Sequence, residues 1–386
     1  MNIAPKQYKH AWRSYHTFAH FSLNIFLSLT HSRKRCKIHG VLIKNAYGRE
    51  KIRLALPSKG RLEEETMQFL RDCGLPVAKV NPRQYVAQVS TLPDLEVWFQ
   101  RSADVVRKVR DGDVDLGVSG LDSVAEHGGD NNEIIIIHEA LGYSHCSLAL
   151  AVPEAWDQVH SVQDLARYAA NASKPLRVVT KYERLVANFL DKHQVQPYHI
   201  LHAYGALEAA PLMGSADLIA DLVSSGVTLR ENRLKQLENG CLLKSQAVFI
   251  GNRTALQTRP NVLETTRQML ELIEAHLRAS QNHYVIANMR GESPEEVAAK
   301  VFSQPNLGGL QGPTVAPVYI REQQANGWYA INLVVQKHRL QEAIRQLRAI
   351  GGSGVVVTPI TYIFEEEPPR WQALLETLAQ DSQSWQ

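Results

Sequence analysis

Two carboxylates, a hydroxyl cluster and a glycine fall between Asp217 and Thr228, inside the stretch Ala216 to Asn232 reading ADLIADLVSSGVTLREN. Leu218, Ile219, Leu222 and Val223 predict a short strand; Ser224, Ser225, Gly226 and Thr228 predict a polar turn; Leu229 to Leu237 returns to helical spacing. A strand that turns into a helix this way offers an anion free backbone N–H groups and the positive end of a helix dipole. Gly226 lets the backbone approach closely, and Ser224, Ser225 and Thr228 add hydroxyl donors. Asp217 and Asp221 would repel a phosphate, so they suit sugar hydroxyls or a Mg2+ ion bridging a pyrophosphate. The same residues also fit an ordinary strand-to-helix turn in which an Asp only caps the helix. Upstream, Lys59 and Arg61 flank Gly60 on a Pro-Ser-Lys-Gly turn after the apolar run Ile52 to Leu56. Arg61 can clamp a phosphate with two hydrogen bonds and Lys59 can supply a point charge, or both can be a solvated helix start.

The elements that must position these groups alternate short apolar strands with amphipathic helices from Lys51 onward, an α/β pattern. Ile52, Leu54 and Leu56 read as a strand, and Leu62, Thr66, Phe69, Leu70 and Cys73 as a helix face. Asp115 to Val118 is a buried strand. A second set of strands follows at Leu148 to Val152, Arg177 to Thr180 and Leu218 to Val223, before Gln246 to Ile250 returns to the first sheet. The expected catalytic region is therefore two-lobed over 51–280, with lobe 1 at about 51–147 and 240–280 and lobe 2 at about 148–239. The ligand cleft is expected where the strand carboxyl ends face each other. Residues 281–386 form a separate module with a tail. Strands at Tyr284 to Met289, Thr314 to Ile320, Trp328 to Val335 and Gly354 to Thr358 alternate with helices after Ser293-Pro294 and over Leu340 to Ile350. This is the β-α-β-β-α-β, ferredoxin-like order.

Several motifs stand together in one order: Ile52 to Leu62 (IRLALPSKGRL), Trp98 to Asp104 (WFQRSAD), Asp115 to Asp122 (DLGVSGLD), Thr180-Lys181-Tyr182, Tyr204 to Pro211 (YGALEAAP) and the Asp217 to Thr228 loop. In this the chain resembles the ATP phosphoribosyltransferase family over about residues 50 to 380. Asn81 to Gln88 and Ile350 to Gly354 are most similar to the plant-type long form. The resemblance implies a periplasmic-binding-protein-like, two-lobed catalytic region and a C-terminal regulatory domain. It implies the joining of adenine N1 of ATP to 5-phosphoribosyl-1-pyrophosphate, the first step of histidine biosynthesis, with Mg2+ at the leaving pyrophosphate. By the same resemblance Asp217, Asp221 and Arg61 are catalytic, and Lys59, Ser224, Ser225, Gly226 and Thr228 hold phosphates. Arg101 and Asp104 are implied substrate contacts or a structural ion pair; the usual Arg-Pro-x-Asp-Ile-Pro reads Arg-Ser-Ala-Asp-Val-Val here. Asp122 receives an adenine amino group or caps the next helix. Tyr182 stacks on a base or packs between the lobes, with Lys181 beside it near phosphate. Glu208 contacts the ribose or caps a helix. Leu310 and Thr314 match the segment that binds histidine as an allosteric inhibitor, and a homo-oligomer from dimer to hexamer is implied.

A formal net charge of +3 is too small to imply a nucleic-acid partner. Much of it sits in the first fifty residues, where nine lysines and arginines from Lys6 to Arg49 meet no acid before Glu50. That segment is expected to be disordered or a targeting extension. Phe18 to Thr30 is interrupted by His20 and Asn24 and is too short to span a bilayer. A cytoplasmic location is expected, with plastid stroma as the alternative, and no membrane partner. Cys36, Cys73, Cys146 and Cys241 are scattered and read as reduced thiols. Histidine and cysteine spacing shows no metal-ligand pattern. Two other classes fit a two-lobed chain: a solute-binding protein, or an inactive regulatory paralogue. The paired-Asp loop and the retained Lys59, Arg61, Glu208 and Thr228 favour the enzyme.

Overall fold

The computed structural model describes residues 50–79, 81, 84–129, 132–203, 205–319 and 327–383. The basic N-terminal segment with Cys36, and also Tyr204, Ile320 and Asn326, lie outside the described residues.

In chain order the strands are β1 (Ile52–Pro57), β2 (Val77–Ala78), β3 (Val86–Val89), β4 (Leu92–Gln100), β5 (Leu116–Gly120), β6 (Ile134–His138), β7 (Cys146–Pro153), β8 (Leu176–Thr180), β9 (Tyr198–His202), β10 (Leu218–Val223), β11 (Leu234–Ser245), β12 (Ala247–Asn252), β13 (Asn282–Arg290), β14 (Thr314–Pro317), β15 (Trp328–Gln336) and β16 (Ser353–Pro359). The helices are α1 (Arg61–Asp72), α2 (Ser102–Arg110), α3 (Leu121–His127), α4 (Val162–Asn171), α5 (Glu183–Lys192), α6 (Val227–Glu231), α7 (Arg253–Thr258), α8 (Pro260–Ser280), α9 (Pro294–Phe302), α10 (Leu340–Ala349) and α11 (Pro369–Gln383).

The first sheet runs β2-β3-β4-β1-β5-β12-β6 and the second β11-β7-β10-β8-β9. In the first, β1 lies parallel to β4 and β5; in the second, β8 lies parallel to β9 and β10. The loops that leave the carboxyl ends of these strands therefore share one edge in each lobe. Strands buried on both faces need continuous apolar runs, and β1 and β5 supply them through Leu54, Ala55, Leu56, Leu116 and Val118. The chain leaves the first sheet for the second at β7, and β12 rejoins the first between β5 and β6. Together these make the two-lobed α/β architecture of the periplasmic-binding-protein type.

The third sheet, β14-β15-β13-β16, packs Val285, Ala287, Met289, Ile331 and Leu333 against Val297, Val301, Ala343 and Leu347 of α9 and α10. This is the ferredoxin-like module. Ser293 caps α9 by accepting from Glu296 N–H at 3.2 Å, while the Glu296 carboxylate turns back to Glu292 N–H at 2.6 Å. Two expectations fail. The helical spacing over Leu229 to Leu237 stops at Glu231, because Arg233 takes a left-handed φ of 56° and Leu234 begins the twelve-residue strand β11. The tail after the module is instead helix α11, which buries Trp371, Leu374 and Leu378 in the lobe 1 core.

Candidate active site

Each lobe uses one carboxylate at the amino end of a central strand to lock the neighbouring parallel strand. In lobe 1, Asp115 accepts from Arg53 N–H at 2.9 Å and from Arg259 Nη1 at 2.6 Å. In lobe 2, Asp217 accepts from Arg177 N–H at 2.7 Å, with the Arg177 guanidinium at 2.8 and 3.2 Å. The Arg177 guanidinium, by hydrogen bond and then by charge, holds the Asp217 carboxyl below its usual range against a smaller burial effect. Asp217 thus precedes β10, whereas the Ser224 loop follows it, and a six-residue strand spans about 20 Å. The structure places Asp217 at the amino end of β10, bonded to Arg177, at the opposite end of that strand from the Ser224 loop. A 1000 Å³ cavity lies at this amino end with Asp217, Trp156 and Asp164, away from the strand carboxyl ends.

The carboxyl ends gather a different set. Thr180 Oγ1 donates to Ala220 O at 2.8 Å and accepts from Tyr182 N–H at 3.0 Å, which clamps the ends of β8 and β10 together. Lys181 and Asp221 follow directly, with Nζ 3.9 Å from Oδ2. Asp221 Oδ1 accepts from Leu222 N–H at 2.8 Å. Burial pushes the Asp221 carboxyl up; Lys181 and that backbone bond pull it down, while Glu208 and Asp122 push it up further. Glu208, on a single 3-10 turn at Leu207–Ala209, therefore shares this electrostatic neighbourhood and caps nothing. Beyond β10, Ser224 and Ser225 are exposed, and Gly226 takes φ 71° as the cap of α6. A side chain at that φ is strained, so glycine is the residue that turns the loop. Helix α6 is only five residues long, so the amides and hydroxyls rather than a long dipole would attract an anion here. Ser224, Ser225 and Gly226 line a 410 Å³ cavity with Ser147, Arg230 and Lys235.

In lobe 1, Lys59 and Arg61 are exposed on the turn between β1 and α1, and Arg61 Nη2 donates to His145 O at 3.4 Å. Arg101 is exposed at the end of β4. Asp104 pairs with Arg107 at 3.3 Å on the same helix, so Arg101 and Asp104 do not form an ion pair with each other. Asp122 and Tyr182 meet across the lobes. Asp122 is 5% exposed and Tyr182 8%. Tyr182 Oη donates to Asp122 Oδ2 at 2.7 Å, and Ser245 Oγ donates to Oδ1 at 2.6 Å. The Asp122 side chain caps no helix, and Tyr182 packs between the lobes rather than lying open to a stacking base. A Cβ on Gly120 would collide with Asp122 Oδ1, so Gly120 leaves room for the carboxylate to fold back. Ser245, at the end of β11, has no signal of its own in the sequence. A second tie joins the lobes: the Glu126 carboxylate of α3 accepts from Arg184 N–H and Leu185 N–H, at 2.9 and 3.0 Å, and so caps α5.

Leu310 and Thr314 line a 380 Å³ cavity of the C-terminal module with Arg278, Tyr284, Asn332 and Glu365. Among the described residues Cys73 is buried, Cys146 half-buried and Cys241 exposed, and none of the three is in a disulfide.

The family model for ATP phosphoribosyltransferase matches residues 101–275, and that for the HisG C-terminal domain matches 279–362. The chain is 50% identical over 336 residues to ATP phosphoribosyltransferase 2, chloroplastic, of Arabidopsis thaliana, covering 86% of this chain and 81% of that one. The chain belongs to the ATP phosphoribosyltransferase family. An ATP phosphoribosyltransferase of Chelativorans sp. (strain BNC1) is 41% identical over 230 residues, 58% of this chain and 98% of its own. The solved ATP phosphoribosyl transferase (HisG:HisZ) complex from Thermotoga maritima is similar with a TM-score of 0.46 and 24% identity, over 58% of this chain and 98% of that one. As an ATP phosphoribosyltransferase the chain is a glycosyltransferase. It condenses ATP with 5-phosphoribosyl-1-pyrophosphate to phosphoribosyl-ATP and pyrophosphate in the first step of histidine biosynthesis.

Proposed function

We propose that this transfer takes place at the carboxyl ends of β1, β4, β8 and β10, with Asp221 as the catalytic carboxylate. The observation that supports this most is Asp221 itself: it is held in a largely buried setting, raised in pKa by burial, with only Lys181 near its outer oxygen. An anion in such a setting is stabilised most when a positive charge develops beside it, as happens at ribose C1 while pyrophosphate departs. Glu208 holds the ribose hydroxyls alongside Asp221. Ser224, Ser225, Gly226 and Thr228 take the 5-phosphate through hydroxyls and backbone N–H groups. Lys59 and Arg61 attract the polyphosphates from lobe 1, with Arg61 on the leaving group, and Arg101 adds a third cation there. Adenine N1 is a weak nucleophile, so the two lobes must deliver it in line with the C1–O bond that breaks. The Asp122–Tyr182 contact fixes the lobe spacing for that delivery.

Mg2+ fits this donor set as an ion carried by the substrate. Among the described residues no three His, Cys, Asp or Glu side chains gather as a cage, while Asp221 and Glu208 are hard oxygen donors of the kind that take one or two positions on a phosphate-bound Mg2+. Those two residues would hold it, and when bound it neutralises the departing pyrophosphate. The Leu310–Thr314 cavity takes histidine as inhibitor, its carboxylate toward Arg278 and its ammonium toward Glu365. The chain forms a homo-oligomer through the open face of the third sheet, where Tyr284 and Val356 are 37% and 52% exposed. Plastid stroma is its location, in keeping with the chloroplastic relative and the acid-free N-terminal segment. No helix among the described residues is long and apolar enough to cross a membrane.

The test is the rate of phosphoribosyl-ATP formation, followed by ultraviolet absorbance. Asp221→Asn and Thr228→Ala should each lower kcat/KM, the first by about 100-fold or more. Burial raises the Asp221 pKa, so its charge opposes folding at neutral pH, and that penalty is absent below its unfolded pKa. Asp221→Asn should therefore not lower the melting temperature. An active Asp221→Asn enzyme would remove Asp221 from the mechanism.

A further inference from the structure

We propose that a 360 Å³ cavity between β6, α8 and the segment Ile363–Arg370 is a second ligand site, which takes a small primary amine with an apolar body and one hydrogen-bond-accepting oxygen. It lies away from the cleft and adjoins the cavity that holds Leu310 and Thr314, the two sharing Arg278, Ile363, Phe364 and Glu365 as a common wall. Its volume lies in the range of small-molecule pockets, and its walls are largely apolar: Ala140, Ala275, Leu277, Phe364, Pro368 and Pro369.

Two buried polar atoms without a partner and one half-buried carboxylate belong to its lining residues. His138 is 1% exposed, and its Nδ1 accepts from Ala140 N–H at 3.2 Å. That bond places the ring proton on Nε2, which is buried without a hydrogen-bond partner. Glu274 accepts from Arg370 Nη1 at 3.0 Å through Oε1, while its Oε2 is buried without a partner. Glu271, one turn earlier on the same face of α8, lines the cavity and forms no ion pair among the described residues. Leaving such groups unmet is costly, and each asks for a particular complement. The imidazole N–H asks for an acceptor; the two carboxylates ask for a donor. The charge balance agrees. Among the charges at the cavity, Arg278 is paired with Glu365, and Arg370 with Glu274 and with Glu139 just outside the lining, so Glu271 has no base of its own among the described residues. His138 is neutral at physiological pH, because burial, and after it the charge of Arg370, lowers its pKa to about 4. One added cation would give Glu271 its counter-charge. Water could meet the polar atoms, but not the apolar walls that surround them.

Isothermal titration of the full chain with L-phenylalaninol tests this, with 3-phenyl-1-propanol lacking the amine and 2-phenylethylamine lacking the oxygen. Phenylalaninol should bind, and each control should bind about tenfold more weakly, the loss expected for one charge-assisted or one buried hydrogen bond. Glu271→Gln, a half-buried change on the face of a helix, should weaken phenylalaninol about tenfold and leave 3-phenyl-1-propanol unchanged. His138→Phe should abolish the advantage of phenylalaninol over 2-phenylethylamine. Absence of phenylalaninol binding, equal binding of all three compounds, or parent-like affinity in folded Glu271→Gln would each overturn the proposal.

Discussion

The Tyr182–Asp122 bond and the Glu126 cap of α5 both tie lobe 1 to lobe 2, beside the Arg184 guanidinium on the Ala125 and Glu126 carbonyls, so removing the two should loosen the lobes without unfolding either. Tyr182→Phe deletes the 2.7 Å bond to Asp122. The ring stays packed in the lobe 2 core, so no cavity forms. A hydrogen bond to a charged group contributes about 1.5–3 kcal/mol, and the lower end applies because Ser245 and Ser123 still donate to the same carboxylate. Glu126→Gln removes the charged cap of α5. Because the contact is exposed, the loss is about 1 kcal/mol, a typical capping value. Both contacts lie in one seam, Asp122 and Glu126 a turn apart on α3 and Tyr182 two residues before Arg184 of α5, so the effects are coupled and their simple sum sets only the scale of the joint loss. Together they amount to about 2.5 kcal/mol, or about a 70-fold shift in the ratio of open to closed lobes. Small-angle scattering should show a larger radius of gyration for the double variant, and KM for both substrates should rise while the far-ultraviolet circular dichroism stays that of the parent. Identical scattering and KM in the double variant would refute the idea that these contacts set the lobe spacing.

Three other outcomes follow from the same geometry. Asp217→Asn should lower the melting temperature through loss of the Arg177 pair and leave kcat and KM unchanged; a fall in turnover matching that of Asp221→Asn would return Asp217 to the cleft. Gly226→Ala has open space around the new Cβ, but at φ 71° it should cost about 1–2 kcal/mol of backbone strain, read as a raised KM for 5-phosphoribosyl-1-pyrophosphate in steady-state kinetics. His138 has a folded pKa of about 4 against 6.5, so the unfolded chain binds a proton first as pH falls. Its contribution is complete above about pH 6.5 and is lost toward pH 4, a change of about 3 kcal/mol. Urea denaturation of His138→Gln should therefore show a flatter acid limb than the parent, and parallel limbs would contradict the assignment.

The parts of the fold legible in the sequence are those written in local periodicity. The C-terminal module could be read strand by strand, because Ser293-Pro294 marks a helix start and the apolar residues of each strand alternate. Gln246 to Ile250 could be placed back in the first sheet because Ala247 to Ile250 is apolar throughout, as a strand covered on both faces must be. The errors lie where a long-range partner decides. Leu229, Leu234 and Leu237 fit a helix on spacing, but Asn232 and a left-handed Arg233 end it, and Leu234 pairs with Pro153 some eighty positions away. Helix α11 did carry a signal, Pro369 at its start and Trp371, Leu374 and Leu378 on one stripe. What the sequence could not display was the apolar surface of lobe 1 that receives them. Asp217 and Asp221 look alike as neighbours in one motif, since nothing local tells a strand's beginning from its end as regards function.

That last distinction has a physical origin. At the amino end of a parallel strand, the adjacent strand presents backbone N–H groups and, here, an arginine side chain. A carboxylate there is satisfied within the sheet, as Asp115 is by Arg53 and Arg259, and Asp217 by Arg177. At the carboxyl end the chain departs into a loop, and the neighbouring strand offers no N–H row. Asp221 is left with its own Leu222 N–H and a lysine at 3.9 Å. Asp122, just past the corresponding end of β5, is satisfied by side chains that reach in to it, Tyr182 from the other lobe together with Ser245 and Ser123. The carboxylates with binding capacity to spare are therefore those at strand carboxyl ends, and among them the one that lobe closure leaves unsatisfied is Asp221.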